Sequence, residues 1–585
     1  MGDSEHLPTE QQTDFRSRGQ RPIRWWPAGV IGLAALGAFV FLASLDVLNR
    51  QERNIQTARI ALIAFFLLLL WSILLSRFNW RIRVSILGTV LAVIFLSPVL
   101  FRIRGVTGDL LPVLEWRWQR RTGSAAELGK SDTWQPSQPR PERKSKAGLS
   151  YPQFLGPHRN AKVDGPVLAR DWRKQPPGRI WRRPIGPAWS AFSIAGNYAI
   201  TQEQAGEREL VVCYDLMSGD ILWSHADNAL YHTTIAGEGP RTTPTIMGER
   251  VYTLGATGIL NALDLATGTR IWSKDILLDN QSQQPDWGVS GSPLVLDNLV
   301  VVSPGGPRQR SLVAYSGNSG EFVWGAGTDA ASYSSPCLAT IAEVPQILIF
   351  NASGIAAHDV QKGKILWEYP WPAGHPHVAI PVILPHDRVL ISSGYGIGSE
   401  LLQLEKDAAG KFSASKIWKS LSLKAKFTNV IYHDGYIYGL DDGILVCLDA
   451  VDGKRKWKEG RYGHGQVILA GDLLIVMSEK GDVVLVEPVP GEHRELTRFS
   501  ALEGKTWNPP ALADEYLLVR NDKEAACYRL PTVSVPKSVA MKLARFNNWS
   551  KAAQKFRGGF RDAVAQTEYK IRTVNFGLES EPLAD

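Results

Sequence analysis

Hydrophobic positions follow two regimes along this chain. From residue 28 to 101 they run together in three long blocks, 28–45, 58–76 and 84–101. From about residue 151 to 531 they break into short apolar runs separated by polar, glycine-bearing turns. Each long block approaches the ~20 residues a helix needs to cross a bilayer. Trp25, Trp26 and Trp80 stand at the flanks, where interfacial indoles are favoured. Three such blocks joined by arginine-bearing loops predict three membrane spans rather than one cleaved signal. Flanking charge orients them weakly. Within the counted window, seven arginines fall on the side of the first residues and the second loop, against five on the other side. The expectation is a cytoplasmic N-terminal side and a periplasmic remainder, in an inner-membrane protein.

The second regime repeats. Six stretches end in a glycine followed by a tryptophan: CYDLMSGDILW (213–223), ALDLATGTRIW (262–272), AYSGNSGEFVW (314–324), AHDVQKGKILW (357–367), LEKDAAGKFSASKIW (404–418) and CLDAVDGKRKW (447–457). The tryptophans Trp223, Trp272, Trp324, Trp367, Trp418 and Trp457 are spaced 39 to 52 residues apart. A period of this length with strand-like segments signals a radial β array. The unit 241–272 shows how one repeat builds a sheet. TPTIM, VYTLG, ILNALD and TRIW are four short strands, separated by the turns MGER, TG and ATG. Gly268 supplies the positive φ that closes the last hairpin, and Asp264 and Thr267 hold it through nearby amides. One such sheet cannot bury both faces, so the units stack around an axis. A seventh unit ends at Leu496 in place of tryptophan. An eighth, 509–530, has only three strands. The segment 178–186 carries Trp181 with no strands before it, and supplies the missing fourth. The prediction is an all-β, eight-bladed propeller of four-stranded antiparallel blades, closed by its two ends. Three transmembrane helices precede it and a basic helical tail follows.

The pattern Ala-x-Asp-x-x-Thr-Gly-x-x-x-Trp, most faithful at 262–272, resembles the tryptophan-docking repeat of pyrroloquinoline-quinone (PQQ) propellers, the quinoprotein and BamB type. The resemblance covers about 380 residues. It implies that Trp181, Trp223, Trp272, Trp324, Trp367, Trp418 and Trp457 pack between blades. It does not fix an activity, because the superfamily holds alcohol dehydrogenases and non-enzymatic assembly scaffolds. Together with the apolar blocks and YPQFLGPHRN (151–160), the repeat resembles a group of bacterial, notably planctomycete, membrane proteins.

Composition narrows the function. The formal charge of +8 over 585 residues, without zinc-finger spacing or an arginine-rich run, gives no reason to expect nucleic acid. The four cysteines, Cys213, Cys337, Cys447 and Cys527, are far apart and read as buried thiols. The quinoprotein dehydrogenases carry a vicinal disulfide and often a CxxCH haem site. Neither pattern occurs here. Asp441, Asp442 and Asp522 could supply oxygens to Ca²⁺, but aspartates of this kind are common in β turns. The loops opening on one face of the propeller bring aromatic, cationic and imidazole groups together. Candidate ligand-binding residues are Trp189, Arg241, Trp287, Arg308, Tyr333, His377, Lys426, His464, Trp507 and Asn508. Aromatic faces suit flat or sugar-like ligands and cations suit anions, so PQQ, an acidic glycan or an acidic peptide are the ligand classes to consider. No catalytic residue and no metal ligand is assigned.

The expected organisation is a polar start (1–26), a three-helix anchor (27–104), a juxtamembrane segment and linker (105–150), the propeller (151–531) and a basic tail (532–585). The expected role is a membrane-anchored binding or assembly platform at the cell envelope, partnered by the bilayer and by envelope proteins or an anionic glycan, without catalysis. The alternatives are a PQQ- and Ca²⁺-dependent oxidoreductase feeding membrane quinone, and an envelope polysaccharide binder.

Overall fold

The computed structural model describes residues 22–45, 50–118, 133–134 and 148–533. Most of the polar start, most of the linker and the expected helical tail lie outside the described residues. The described residues from 22 to 531 belong to one compact unit.

Among the described residues, three helices are long and apolar enough to cross a membrane. They are α1 (Trp26–Ser44), α2 (Arg50–Leu75) and α3 (Trp80–Leu100). The last turn of α2, Trp71–Leu75, widens to a π-helix. There Trp71 Nε1 donates to the Arg24 carbonyl at 3.0 Å, tying α2 to the start of α1.

Eight antiparallel sheets follow, at 193–227, 245–275, 294–326, 337–370, 382–420, 431–461, 466–500 and 511–529. Blades 2 to 6 each have four strands in chain order from axis to rim. The eighth is completed by Gly178–Pro184, which pairs with Glu524–Arg529 so that Trp181 faces Cys527. This pairing covers the edge the eighth blade would otherwise expose. Middle strands such as Leu473–Met477 are buried along their whole length, because a neighbouring blade covers each face. Rim strands such as Arg455–Arg461 bury chiefly the tryptophan.

The repeat motif acts between blades. Each motif tryptophan sits opposite a small or apolar residue of its own blade, as Trp272 does Ala262 and Trp457 does Cys447. A β-bulge follows the pair and turns the indole toward the next blade. Trp272 Nε1 then donates to the Gly317 carbonyl at 2.9 Å, and Trp223 Nε1 to that of Leu265 at 2.9 Å. The motif glycine of the next blade lies beneath the ring. A Cβ on Gly268 would come within 2.3 Å of Trp223, besides its φ of +70°. Trp324 and Trp367 depart from this. Trp324 Nε1 is buried without a hydrogen-bond partner among the described residues. Blade 5 has a longer rim hairpin, and Trp367 Nε1 donates to Gln346 Oε1 of its own blade at 2.7 Å. All four cysteines are free and buried.

Two further segments close the central channel. The strand Ser150–Tyr151 pairs with Ser193–Ala195 of blade 1, and the Pro152 carbonyl accepts from Ile246 of blade 2. Arg159 donates to the carbonyls of Pro293 and Ser292 at 2.7 and 2.8 Å, and Lys162–Val163 pairs in parallel with Gln466–Ala470 of blade 7. YPQFLGPHRN is thus a floor crossing the channel. At the opposite end lies a hairpin within the juxtamembrane segment, to which the sequence reading gave no element. Its strands are β1 (Phe101–Val106) and β2 (Pro112–Trp116).

Candidate functional site: an aromatic channel beneath a juxtamembrane hairpin

The segments that lead into the innermost strands converge on a cavity of about 150 Å³. Trp189, Arg241, Trp287, Tyr333 and Trp507 line it, with Phe154 contributed by the floor. The rings form a continuous path. Trp189 lies 5.0 Å from Trp507, Trp507 5.2 Å from Phe427, Phe427 6.1 Å from Trp287, and Trp287 5.2 Å from Tyr333. The contacts range from stacked to edge-on, the geometries aromatic quadrupoles favour.

The cations at this site are committed. Arg241 donates through Nε to the Trp287 carbonyl at 2.6 Å and through Nη2 to those of Gly237 and Ala236 at 2.9 and 3.2 Å. Its Nη1 donates to the Gly239 carbonyl, and the guanidinium lies over the Tyr231 ring at 4.2 Å. Burial pulls its pKa down to about 10, against the pull of Tyr231 and Glu209. Lys505 Nζ sits over Trp507 and Trp189 at 4.2 and 4.7 Å and donates to the Val106 carbonyl of the hairpin at 3.0 Å. Lys426 Nζ donates to the Gly108 carbonyl at 3.0 Å and to Gln51 Oε1 of α2. Burial lowers both lysines to about 8, more than nearby carboxylates restore.

The ten candidate residues therefore divide. Five line the cavity. Lys426 and His464 lie one layer out, against the hairpin. His377 is buried, its Nδ1 and Nε2 facing the carbonyls of Asn351 and Pro372 at 2.6 and 3.1 Å, and its ring stacks on Phe350. Asn508 is buried and donates to the carbonyls of Ser190 and Ala188 at 2.7 and 3.1 Å, joining blade 8 to blade 1. Arg308 is exposed on the turn between the second and third strands of blade 3, away from the cavity lining.

Phe427 and Glu479 were missed. Phe427 adjoins Lys426, and the loop places the ring inward and the amine outward. Glu479 occupies the loop between the second and third strands of blade 7, a position the loop rule reaches. Its Oε1 accepts from Gly108 N at 2.7 Å and from Trp507 Nε1 at 2.9 Å, and its Oε2 accepts from His464 N at 3.0 Å. One carboxylate thus joins cavity wall, mouth and hairpin.

PQQ, a planar tricyclic tricarboxylate, does not fit these residues with the hairpin seated. The cavity matches the ~150 Å³ that accepts a benzene ring, below the ~300 Å³ where ligand clefts begin. Most of the Arg241 N–H groups already donate to backbone carbonyls. The candidate Ca²⁺ ligands carry protein cations instead. Asp441 pairs with Lys424 at 2.6 Å and with Lys458, Asp442 with Lys424 at 3.6 Å, and Asp522 with Arg104 at 3.0 Å. Among the described residues no group of three His, Cys, Asp or Glu could hold a metal ion.

A PQQ-repeat family model, described as Outer membrane protein assembly factor BamB, matches residues 172–285 and 207–459. No curated protein matches the chain. Similar solved structures include BamB from Moraxella catarrhalis, at 16% identity and TM-score 0.45, over 62% of this chain and 99% of that one. The quinohemoprotein alcohol dehydrogenase from Comamonas testosteroni aligns at 13% identity and TM-score 0.48, over 66% and 81%. The repeat match, the tryptophan docking between blades and the closed ring of eight make this chain a β-propeller protein of PQQ-like repeats.

Proposed function

We propose that the protein is a membrane-held propeller that binds a partner at its mouth, as an assembly platform of the cell envelope, and that it carries out no redox chemistry. The commitment of the site's charged groups to protein partners supports this most. Arg241 is spent on backbone carbonyls, and Lys426, Lys505 and Glu479 on a peptide hairpin. The matched family model points the same way, being described by an assembly factor. In this reading α1–α3 cross the inner membrane and the propeller lies in the periplasm, on the side opposite residues 1–21. The mouth faces the bilayer, since both the first turn of α2 and the segment leaving α3 meet it, with Arg50 Nε 3.1 Å from Asp109 Oδ2.

Two measurements test the reading. Full-length protein in nanodiscs is titrated with PQQ and Ca²⁺, and quinone absorbance and dye reduction with alcohols or sugars are followed. No saturable binding is expected, and stoichiometric uptake with turnover overturns the proposal. In parallel, a photo-crosslinking residue at Trp287 in native membranes is expected to trap a defined envelope protein. Crosslinks only to lipid or within the chain count against a platform.

A further inference from the structure

The tip of the juxtamembrane hairpin, 107–111, is seated in the propeller mouth like a ligand. The Gly108 amide donates to Glu479 Oε1 at 2.7 Å, and its carbonyl accepts from Lys426 Nζ at 3.0 Å. A Cβ on Gly108 would lie 2.0 Å from the His464 ring, so only glycine passes. The next residue, Asp109, enters a cationic surround. His464 Nε2 faces its Oδ1 at 3.4 Å and Arg50 Nε its Oδ2 at 3.1 Å, with Lys426 beside them. Asp442 and Glu479 are the carboxylates nearby. The hairpin adds no strand to any blade. None of its hydrogen bonds to the blades joins main chain to main chain; they run through the side chains of Glu479, Lys426, Lys505, Arg104 and His464. Recognition is thus of one glycine's backbone and one carboxylate, in a pocket that fits both.

We propose that the mouth is a receptor for a Gly-Asp turn, that the chain's own hairpin is its resident occupant, and that an acidic peptide turn of a partner protein binds by displacing it. The inference rests on the platform reading and supplies the chemistry of the partner. A tethered occupant competes at an effective concentration of order millimolar, so a partner succeeds only by presenting the same turn well or where the hairpin is loosened. Displacement would also uncover Lys505, Glu479 and the aromatic path beneath them, giving the partner apolar surface that the hairpin itself does not use.

The test uses full-length protein in nanodiscs and a labelled cyclic peptide of residues 101–116 (FRIRGVTGDLLPVLEW), with a control peptide carrying Asn for Asp. The Asp109→Asn protein, with its occupant weakened, is expected to bind the acidic peptide at least ~10-fold more tightly than wild type does, the scale of one charge-assisted hydrogen bond. Lys426→Met in that background is expected to remove most of the gain. Wild-type protein, which needs no substitution, is expected to exchange the amides of 101–116 faster under saturating peptide. Equal binding of the Asn peptide, no gain in Asp109→Asn, or unchanged exchange overturns the proposal. So does release of the hairpin by phosphatidylglycerol vesicles but not by peptide, since the site would then read a headgroup. If the peptide fails while an envelope protein still crosslinks at Trp287, the platform stands and this inference falls. Alcohol-dependent dye reduction would remove the platform without touching the peptide result.

Discussion

The two ends of the central channel are closed by different physics. The floor, 150–163, joins the blades through main-chain pairing at blades 1 and 7, a further bond at blade 2, and the buried Arg159. The lid, 101–116, touches the same ring chiefly through side chains and one glycine. Main-chain pairing cannot be released without stranding buried amides and carbonyls, each costing about 1–3 kcal/mol. The lid's contacts, though largely buried, can be exchanged for those of a second peptide that offers the same groups, and such an exchange strands no main-chain group of the ring. The floor therefore belongs to the fold, and the lid has the character of an occupant.

The contrast is open to direct attack. Arg159→Met should have the largest effect. It leaves the Ser292 carbonyl without its donor, while the Pro293 carbonyl keeps Thr245 Oγ1 at 2.7 Å, and should cost about 2–3 kcal/mol, read as a fall in the unfolding midpoint of the whole propeller. If Asp109→Asn lowers the midpoint equally, the two ends are not different in kind. Gly108→Val should unseat the lid, because its Cβ meets the His464 ring. Hydrogen exchange over 101–116 should rise toward that of an exposed hairpin, while the unfolding midpoint moves by the equivalent of less than about 1 kcal/mol. Acid should act on the lid selectively. Burial works to raise the Asp109 pKa, but His464, Arg50 and Lys426 outweigh it and hold it below 3.8. The contribution of this carboxylate is thus complete above its unfolded value and is lost as pH falls through the lower folded one. Exchange at the tip, 107–111, should respond there, and Asp109→Asn should reduce the response to what the Glu115 pairs with Arg102 and Arg104 contribute. Lys505→Met should have the smallest effect, about 1 kcal/mol at neutral pH from one hydrogen bond and two cation–π contacts set against the relief of burying the amine. It carries a pH signature. Lys505 releases its proton near 8 when folded and near 10.5 when unfolded, so the unfolded chain binds more protons between those values and stability rises with pH. The substitution should flatten that rise, measured as denaturation midpoints from pH 8 to 10.5.

Much of the architecture was legible in local pattern. The spacing of glycine and tryptophan gave the blades, Leu496 marked the one that lost its indole, and Trp181 marked the closing strand. The site was legible only to the level of loops. The rule that loops before inner strands share a face found five of the cavity residues. It chose Lys426 where Phe427 lines the wall, because a step of one residue reverses the direction of a side chain. It included His377 and Asn508, whose polar atoms are spent on backbone, because a sequence does not show which carbonyls are left over.

The sequence alone determined a repeat, its count, its closure and three apolar blocks, since each follows from periodicity and from the length of apolar runs. The tertiary structure decided why the motif glycine at 268 must be glycine twice over, for its φ and for the indole of Trp223 above it. It also decided what closes the channel. The contact between Gly108 and Glu479 joins residues that lie 371 positions apart. Nothing in the local chemistry of TGDLL foretells it, because the pocket that receives the turn exists only when blades 6, 7 and 8 stand side by side.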